Sequence, residues 1–186
     1  MSYNSEKHRR RSIRLKGYDY SQPGGYFITI CAHQRDCLFG SITNGQVILN
    51  ECGKIVEQTW FDLVNHVGNV ELDAFVIMPN HVHGIIIITD NSDTGNVGAG
   101  SEPAPTIKTT PSINIGYRKS QPLSEIVRQF KTFSAKRINQ IRQTTGVPVW
   151  QRNYYEHIIR QEEELQQLRA YISENPQRWE LDEHYQ

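Results

Sequence analysis

The stretch VELDAFVIMPNHVHGIIIIT, residues 70–89, decides the fold. It contains two apolar, β-branched runs, Val70–Met78 and His81–Thr89, joined by Pro79-Asn80. Such runs on either side of a tight turn predict two strands that pair as an antiparallel hairpin. Side chains alternate between the two faces of a strand, so His81 and His83 share one face of the second strand.

Two imidazoles on one strand face can bind the same divalent metal ion. A bare His-x-His pair also arises often by chance, so two surface histidines without a ligand are the alternative. The pair His81 and His83 lies at the mouth of the predicted hairpin, between an apolar strand and four isoleucines. This position favours a metal site.

Further strands and helices are predicted on both sides of the hairpin. The predicted strands are Tyr26–Ala32, Gln46–Leu49 and Val147–Trp150. The strand Gln46–Leu49 is expected to pair with the segment around residues 38–42. The predicted helices are residues 52–65, a long helix that begins at Leu123, and Glu162–Glu174. The order strand, helix, strand, strand, helix predicts an α+β fold with a ferredoxin-like antiparallel sheet. One face of that sheet is covered by helices, and the other is free to hold a site beside a C-terminal helix.

The 186 residues fit one domain, which we assign to residues 1–186. Residues 1–16 form a basic arm, and residues 90–122, rich in Ser, Thr, Gly, Pro and Asn, form a flexible insertion loop. Three cysteines without a CxxC pair argue against a disulfide framework and favour a reducing cytoplasm. The longest apolar run is too short to span a bilayer, so no membrane partner is expected.

Charge is balanced in sum, with 20 basic and 20 acidic residues, but it is uneven along the chain. Two segments are strongly basic, one between residues 7 and 16 and the other between residues 103 and 155. Their candidate phosphate contacts are Arg10, Arg11 and Arg14 in the first segment, and Arg128, Lys131, Lys136 and Arg137 in the second. Together the two segments indicate a nucleic-acid surface, and solvated surface is the alternative.

The segment WQRNYYEH, residues 150–157, is aromatic, basic and polar at once. Arginines and aromatic rings bind single-stranded bases and phosphates, which would make Trp150 and Arg152 DNA contacts. Alternatively, a structured loop packs Trp150 and Tyr154 into the core. The residues favour neither interpretation over the other.

In the last predicted helix, Tyr171 and Asn175 are four residues apart and therefore lie on one helical face. An apolar stripe of Leu165, Leu168 and Ile172 holds this helix against the body of the protein. Tyr171 could aim its hydroxyl at the neighbouring sheet. The alternatives are a tyrosine with a satisfied hydroxyl and an asparagine that ends a helix before Pro176.

Three blocks occur together in one order: MPNHVHGII (residues 78–86), WQRNYYEHIIR (residues 150–160) and YISENP (residues 171–176). With SIRLKGYDYSQPGGYFITI near the start, they resemble the REP-associated tyrosine transposases, a branch of the single-tyrosine HUH transposases with a ferredoxin-like fold. The resemblance covers roughly residues 9–179.

The resemblance implies roles for individual residues. His81 and His83 correspond to the pair that binds the catalytic Mg²⁺ or Mn²⁺, Asn175 to a third metal ligand, and Tyr171 to the nucleophile. The block at residues 150–160, including His157, corresponds to a stretch that shapes the site and contacts DNA. Tyr154 and Tyr155 are the rival nucleophiles.

The implied activity is metal-dependent cleavage and rejoining of single-stranded DNA at repeat hairpins, through a 5′-phosphotyrosine. The protein would act in the bacterial cytoplasm, as a monomer or homodimer associated with the nucleoid. A non-catalytic single-stranded nucleic-acid-binding module, which needs no metal, is the alternative. A metal hydrolase is disfavoured because Asp73 and Asp90 are the only acidic residues near the histidines in sequence.

Overall fold

The computed structural model describes residue 15, residues 17–90, residues 121–182 and residues 184–185. Nearly all of the basic arm, with Arg10, Arg11 and Arg14, and most of the predicted insertion loop lie outside these ranges. The elements in chain order are β1 (Gly24–Cys31), β2 (Gly40–Thr43), β3 (Gln46–Leu49), α1 (Glu51–Phe61), α2 (Leu63–His66), β4 (Val70–Ile77), β5 (His81–Ile88), α3 (Leu123–Arg142), β6 (Tyr155–Ile159) and α4 (Glu162–Glu174). Short 3-10 segments lie at His33–Arg35 and Asn175–Leu181.

The main sheet has four antiparallel strands in the order β4-β5-β1-β6. With α1 and α3 as the connecting helices, the chain follows the βαββαβ path of a ferredoxin-like fold. β2 and β3 form a separate hairpin, and Asn44 and Gly45 at its turn both have positive φ, as a type I′ turn requires. The predicted α+β class and the hairpin of β4 and β5 are confirmed.

The helices α1 and α3 cover one face of the sheet and bury the main core. The side chain of Asn50 caps α1 by accepting a hydrogen bond of 3.0 Å from the backbone N–H of Gly53. Helical spacing then places Val56 and Trp60 on the buried side of α1, and Phe130 lies on the buried side of α3. Two strands of the sheet complete this layer, with Tyr26, Ile28 and Ile30 from β1 and Val82, Ile86 and Ile88 from β5.

Gly84 lets Trp60 pack directly against β5. The indole of Trp60 is fully buried and stacks on Phe75 with a centroid distance of 4.2 Å. A Cβ at position 84 would lie 2.4 Å from Cη2 of Trp60, which is closer than carbon atoms can approach. The absence of a side chain here therefore places the histidine strand directly over the core.

The helix α4 covers part of the opposite face. Its apolar residues Leu165, Leu168 and Ile172 pack in a second cluster with Phe27 of β1 and Ile85 of β5. The register of β4 against β5 shifts between Leu72 and Phe75, which is a β-bulge beneath this helix.

Two sequence predictions are wrong in detail. Residues 147–150 form no strand, because only an isolated bridge joins Trp150 to Ala32, and the fourth strand of the sheet is instead Tyr155–Ile159. The predicted helix at residues 52–65 is divided into α1 and α2. In the part of the chain that the structure describes, no helix has the length and apolar character needed to cross a membrane.

Candidate metal and nucleophile site

His81 and His83 lie side by side on β5, on the face that α4 partly covers. Both are buried, with 0% and 2% of their surface exposed. Their Nε2 atoms are 2.9 Å apart, and their rings are nearly perpendicular. The strand alternation predicted from HVH therefore brings both imidazoles to one point.

Hydrogen bonds at the far side of each ring set the ring orientation. Asn80 donates from Nδ2 to the backbone carbonyl of His184, at 2.8 Å, so its Oδ1 is the atom that accepts from Nδ1 of His81, at 2.8 Å. The hydroxyl of Thr29 lies 2.8 Å from Nδ1 of His83 and can accept its proton. With both Nδ1 atoms protonated, both Nε2 lone pairs face the same place, as metal-ligating histidines require.

The surroundings keep both imidazoles neutral. Burial, with smaller contributions from His184 and Arg35, lowers the pKa of His81 to about 3. Burial and then the neighbouring His81 lower the pKa of His83 well below its ordinary value. Neutral imidazole is the form that binds metal ions.

Tyr171 brings a hydroxyl to this pair from α4. Its oxygen lies 3.4 Å from Nε2 of His83, and its ring contacts Phe27 edge-on. The residue is 38% exposed, so part of it is open to solvent. Since Ile172 is buried in the cluster beneath α4, packing sets the direction of the preceding residue, Tyr171.

Polar contacts tie α4 to both edge strands. Arg169 of α4 donates to both carboxylate oxygens of Asp73, which lies in the bulge of β4, at 2.8 and 2.5 Å. At the other edge, His157 of β6 lies 2.6 Å from the carboxylate of Glu164, which also accepts from the backbone N–H of Arg160. The structure thus gives His157 a partner on α4, and its predicted contact with DNA stays a prediction.

Asn175 directly follows α4 and is 3% exposed. Its Oδ1 has no hydrogen-bond partner among the described residues. A buried oxygen without a partner is costly unless an unseen group satisfies it. An amide oxygen and imidazole nitrogens are both donor types that a divalent metal ion such as Mg²⁺ or Mn²⁺ accepts, so the predicted role of Asn175 as a ligand stays a prediction.

Sequence reasoning missed two residues at this site. Asn80, interpreted only as part of a turn, orients His81. Asp182, far away in sequence, lies with Oδ2 3.9 Å from Nε2 of His81. The only signals in the sequence were the position of Asn80 inside the MPNHVHGII block and the excess of acidic residues near the C-terminus.

The predicted basic contacts on α3 lie across the sheet from the histidines, because α3 packs on the other face. Arg128 is paired with Glu125, Arg137 contacts Asp62, and Lys131 donates to the backbone carbonyls of Gln151 and Arg152. Lys136 and Arg152 are exposed. A cleft of about 400 Å³ between α3 and residues 147–154 includes Arg128, Lys131 and Arg152 in its lining.

The interpretation of Trp150 as a base-stacking residue is contradicted. Its ring is 7% exposed, packs against Phe39 and Phe130, and donates from Nε1 to the hydroxyl of Ser134 at 2.9 Å. The alternative, in which this segment packs Trp150 into the core, is correct. An indole N–H that finds a buried acceptor satisfies its hydrogen bond without solvent.

Comparisons with known proteins agree with this architecture. No family model matches the chain. The chain is 44% identical over 186 residues, 98% of its own length and 97% of the relative's, to an uncharacterized protein of Haemophilus influenzae. It is 27% identical over 158 residues, 85% of its length and 73% of the relative's, to a second Haemophilus influenzae protein with the name "Putative REP-associated tyrosine transposase".

A solved structure shares the fold. It is a REP-associated tyrosine transposase bound to a REP hairpin, with a TM-score of 0.55 at 17% identity, and the match covers 89% of this chain and 73% of that one. The chain is therefore similar in sequence and in fold to the REP-associated tyrosine transposases, as the three motif blocks predict.

Proposed function

We propose that this protein is a metal-dependent transesterase that nicks and rejoins single-stranded DNA at hairpins through a 5′-phosphotyrosine. The similarity to a putative REP-associated tyrosine transposase supports a transposase-like role in DNA processing. One observation carries the finer proposal: the hydroxyl of Tyr171 lies 3.4 Å from Nε2 of His83, which itself lies 2.9 Å from Nε2 of His81. A nucleophile and two metal-ligating nitrogens therefore meet at one point that a phosphate could occupy.

In the proposed reaction, the Tyr171 oxygen attacks the phosphorus of a phosphodiester. The bond between tyrosine and phosphorus forms while the bond from phosphorus to the 3′ oxygen breaks. The phenolic proton is lost and the departing 3′ oxygen gains one, so the strand ends in a free 3′ hydroxyl. Rejoining reverses these steps, because the phosphotyrosine conserves the phosphodiester bond.

The residues around the nucleophile have separate parts in this proposal. His81, His83 and Asn175 would hold a divalent metal ion, and that ion would neutralise charge on the phosphate oxygens. The contacts of Arg169 with Asp73 and of Glu164 with His157 keep α4 at its position over the sheet. Burial keeps the imidazoles neutral. All these residues belong to one chain, so the proposal needs no second protomer.

The proposed substrate is hairpin DNA with a single-stranded flank. The basis is the fold shared with a REP-associated tyrosine transposase whose structure contains a REP hairpin. The exposed basic side chains of Lys136 and Arg152 are candidates to contact phosphates in a part of the DNA away from the reacting phosphodiester.

The test is a covalent adduct assay. The protein is incubated with Mn²⁺ and a library of hairpin oligonucleotides labelled at either the 5′ or the 3′ end. A 5′-phosphotyrosine retains the 3′-labelled fragment on the protein and releases the 5′-labelled fragment with a free 3′ hydroxyl. Denaturing gels separate the two outcomes, and mass spectrometry locates the nucleotide.

We expect the adduct on Tyr171 in the wild-type protein. Tyr171→Phe removes one oxygen and should abolish the adduct while DNA binding persists, whereas the matched variant Tyr155→Phe should retain it. EDTA should also abolish it. An adduct on Tyr154 or Tyr155, an adduct that forms in EDTA, or DNA binding without any adduct would contradict the proposal, and the last result would favour a non-catalytic binding module.

A further inference from the structure

We propose that Asp182 is an additional ligand of the divalent metal ion, supplied by the segment that follows α4. This inference rests on the metal site of the proposed function. It adds a negatively charged ligand to a site whose other candidate ligands, His81, His83 and Asn175, are neutral. None of the three motif blocks contains Asp182.

The distances fit one coordination shell. One ligand atom each from His81, His83 and Asp182 lies within 4.8 Å of the other two. In an octahedral shell with bonds of about 2.1 Å, neighbouring ligands are about 3.0 Å apart and opposite ligands about 4.2 Å. The two Nε2 atoms, 2.9 Å apart, match neighbouring positions, and the 3.9 Å from Nε2 of His81 to Oδ2 of Asp182 falls between the two values.

The burial of Asp182 also indicates a cation. Its side chain is only 3% exposed, and it faces His81, whose side chain is fully buried. Burying a carboxylate is costly unless a cation and hydrogen bonds compensate for the lost water. The backbone N–H of His184 supplies one hydrogen bond, at 2.6 Å to Oδ1, and Nε2 of His81 lies 3.9 Å from Oδ2. A divalent cation between Oδ2 and the imidazoles would supply the missing positive charge.

The fold places this carboxylate by defined contacts. The 3-10 segment Asn175–Leu181 continues directly from α4, and the ring of Trp179 within it lies 6.0 Å from that of His81. The backbone N–H of Asp182 donates to the carbonyl of Trp179, at 3.1 Å. Beyond it, the carbonyl of His184 accepts from Asn80, the residue that also orients His81. The same asparagine therefore fixes one metal ligand and the segment that carries another.

The resulting donor set has a chemical preference. Two imidazole nitrogens, an amide oxygen and a carboxylate oxygen combine borderline and hard ligands without a thiolate. Such a set suits Mn²⁺ or Mg²⁺ better than metals that favour sulfur. The carboxylate should raise the affinity, because cation affinity increases with the charge of the ligands.

Metal binding by the full-length protein without DNA tests this inference. The electron paramagnetic resonance signal of free Mn²⁺ gives the dissociation constant for the wild type, for Asp182→Asn and for Glu180→Gln. The second variant makes the same charge change at an exposed position two residues away. The double variant His81→Ala/His83→Ala reports on the metal site itself.

We expect Asp182→Asn to weaken Mn²⁺ binding about tenfold or more, and Glu180→Gln to bind like the wild type. The metal-free melting temperature of Asp182→Asn should equal or exceed that of the wild type, because the change removes a buried charge. Unchanged Mn²⁺ affinity in Asp182→Asn, or a lower metal-free melting temperature, would overturn the inference. If the double histidine variant binds Mn²⁺ as tightly as the wild type, the proposed metal site itself is wrong.

Discussion

Replacing Gly84 by alanine tests whether the histidine strand depends on its contact with Trp60. The added methyl would lie 2.4 Å from Cη2 and 2.7 Å from Cζ2 of Trp60, about 1 Å inside ordinary contact. The indole cannot move away cheaply, because it is fully buried, stacks on Phe75 and meets Phe130 edge-on. Overpacking of this kind costs about 1–3 kcal/mol.

The assays are equilibrium unfolding in urea, which gives the free energy, and thermal unfolding, which gives the melting temperature, each followed by fluorescence and circular dichroism. For a chain of this length, a loss of about 2 kcal/mol lowers the melting temperature by about 4–8 °C. Gly68→Ala is the matched control, because a Cβ at that position meets nothing within 4 Å. Its effect should stay within about 0.5 kcal/mol.

A second variant separates the Trp60 contact from other causes. Trp60→Phe shortens the ring that the new methyl meets, so the double variant Gly84→Ala/Trp60→Phe should lose less stability than the sum of the two single variants. The reasoning is refuted if Gly84→Ala is as stable as Gly68→Ala, or if the double variant is strictly additive.

Two further predictions concern α4 and the basic residues. The hydrogen bonds from Arg169 hold the pKa of Asp73 below its ordinary value, so this pair stabilises the fold above about pH 4 and loses its effect as the pH falls through the lowered value. Asp73→Asn should therefore cost about 1 kcal/mol of unfolding free energy at pH 7 and steadily less as the pH falls below about 4, and a cost that stays constant with pH would contradict this. Lys136→Ser should lower the dependence of single-stranded DNA affinity on salt by about 0.7 in the log–log slope, if this exposed lysine contacts a phosphate. Lys131→Met should instead lower the melting temperature, because Lys131 donates to two backbone carbonyls. If Lys131→Met lowers the salt dependence of DNA affinity as much as Lys136→Ser does, Lys131 contacts DNA and this assignment of a structural role is wrong.

Elements with a clear local pattern were predictable. The paired runs in residues 70–89 and the helix Glu162–Glu174 follow directly from alternation and helical spacing, and both are observed with bounds that differ by at most one residue. The strand β6 was not predictable in the same way. Its sequence, YEHII, mixes polar and apolar residues, and it becomes a strand because it pairs with β1 more than 120 residues earlier in the chain.

Packing decided the environment of individual aromatic and charged residues. Trp150 had two equally favoured interpretations until its contacts with Phe39 and Ser134 placed it in the core. The distribution of charge along the chain likewise could not show that Lys131 and Arg128 already have protein partners. Composition reports which groups are present, and only the folded chain shows which of them remain available to a ligand.

The sequence by itself determined that His81 and His83 share a strand face and that Tyr171 precedes Asn175 by about one helical turn. Both follow from the repeat of a single strand or helix, which extends over only a few residues. Only the tertiary structure decided that the Tyr171 hydroxyl lies 3.4 Å from His83 and that Asp182 and Asn80 join the same site. These contacts join residues about 90 to 100 positions apart, and their geometry depends on how α4 and the following segment pack on the sheet, which no local periodicity encodes.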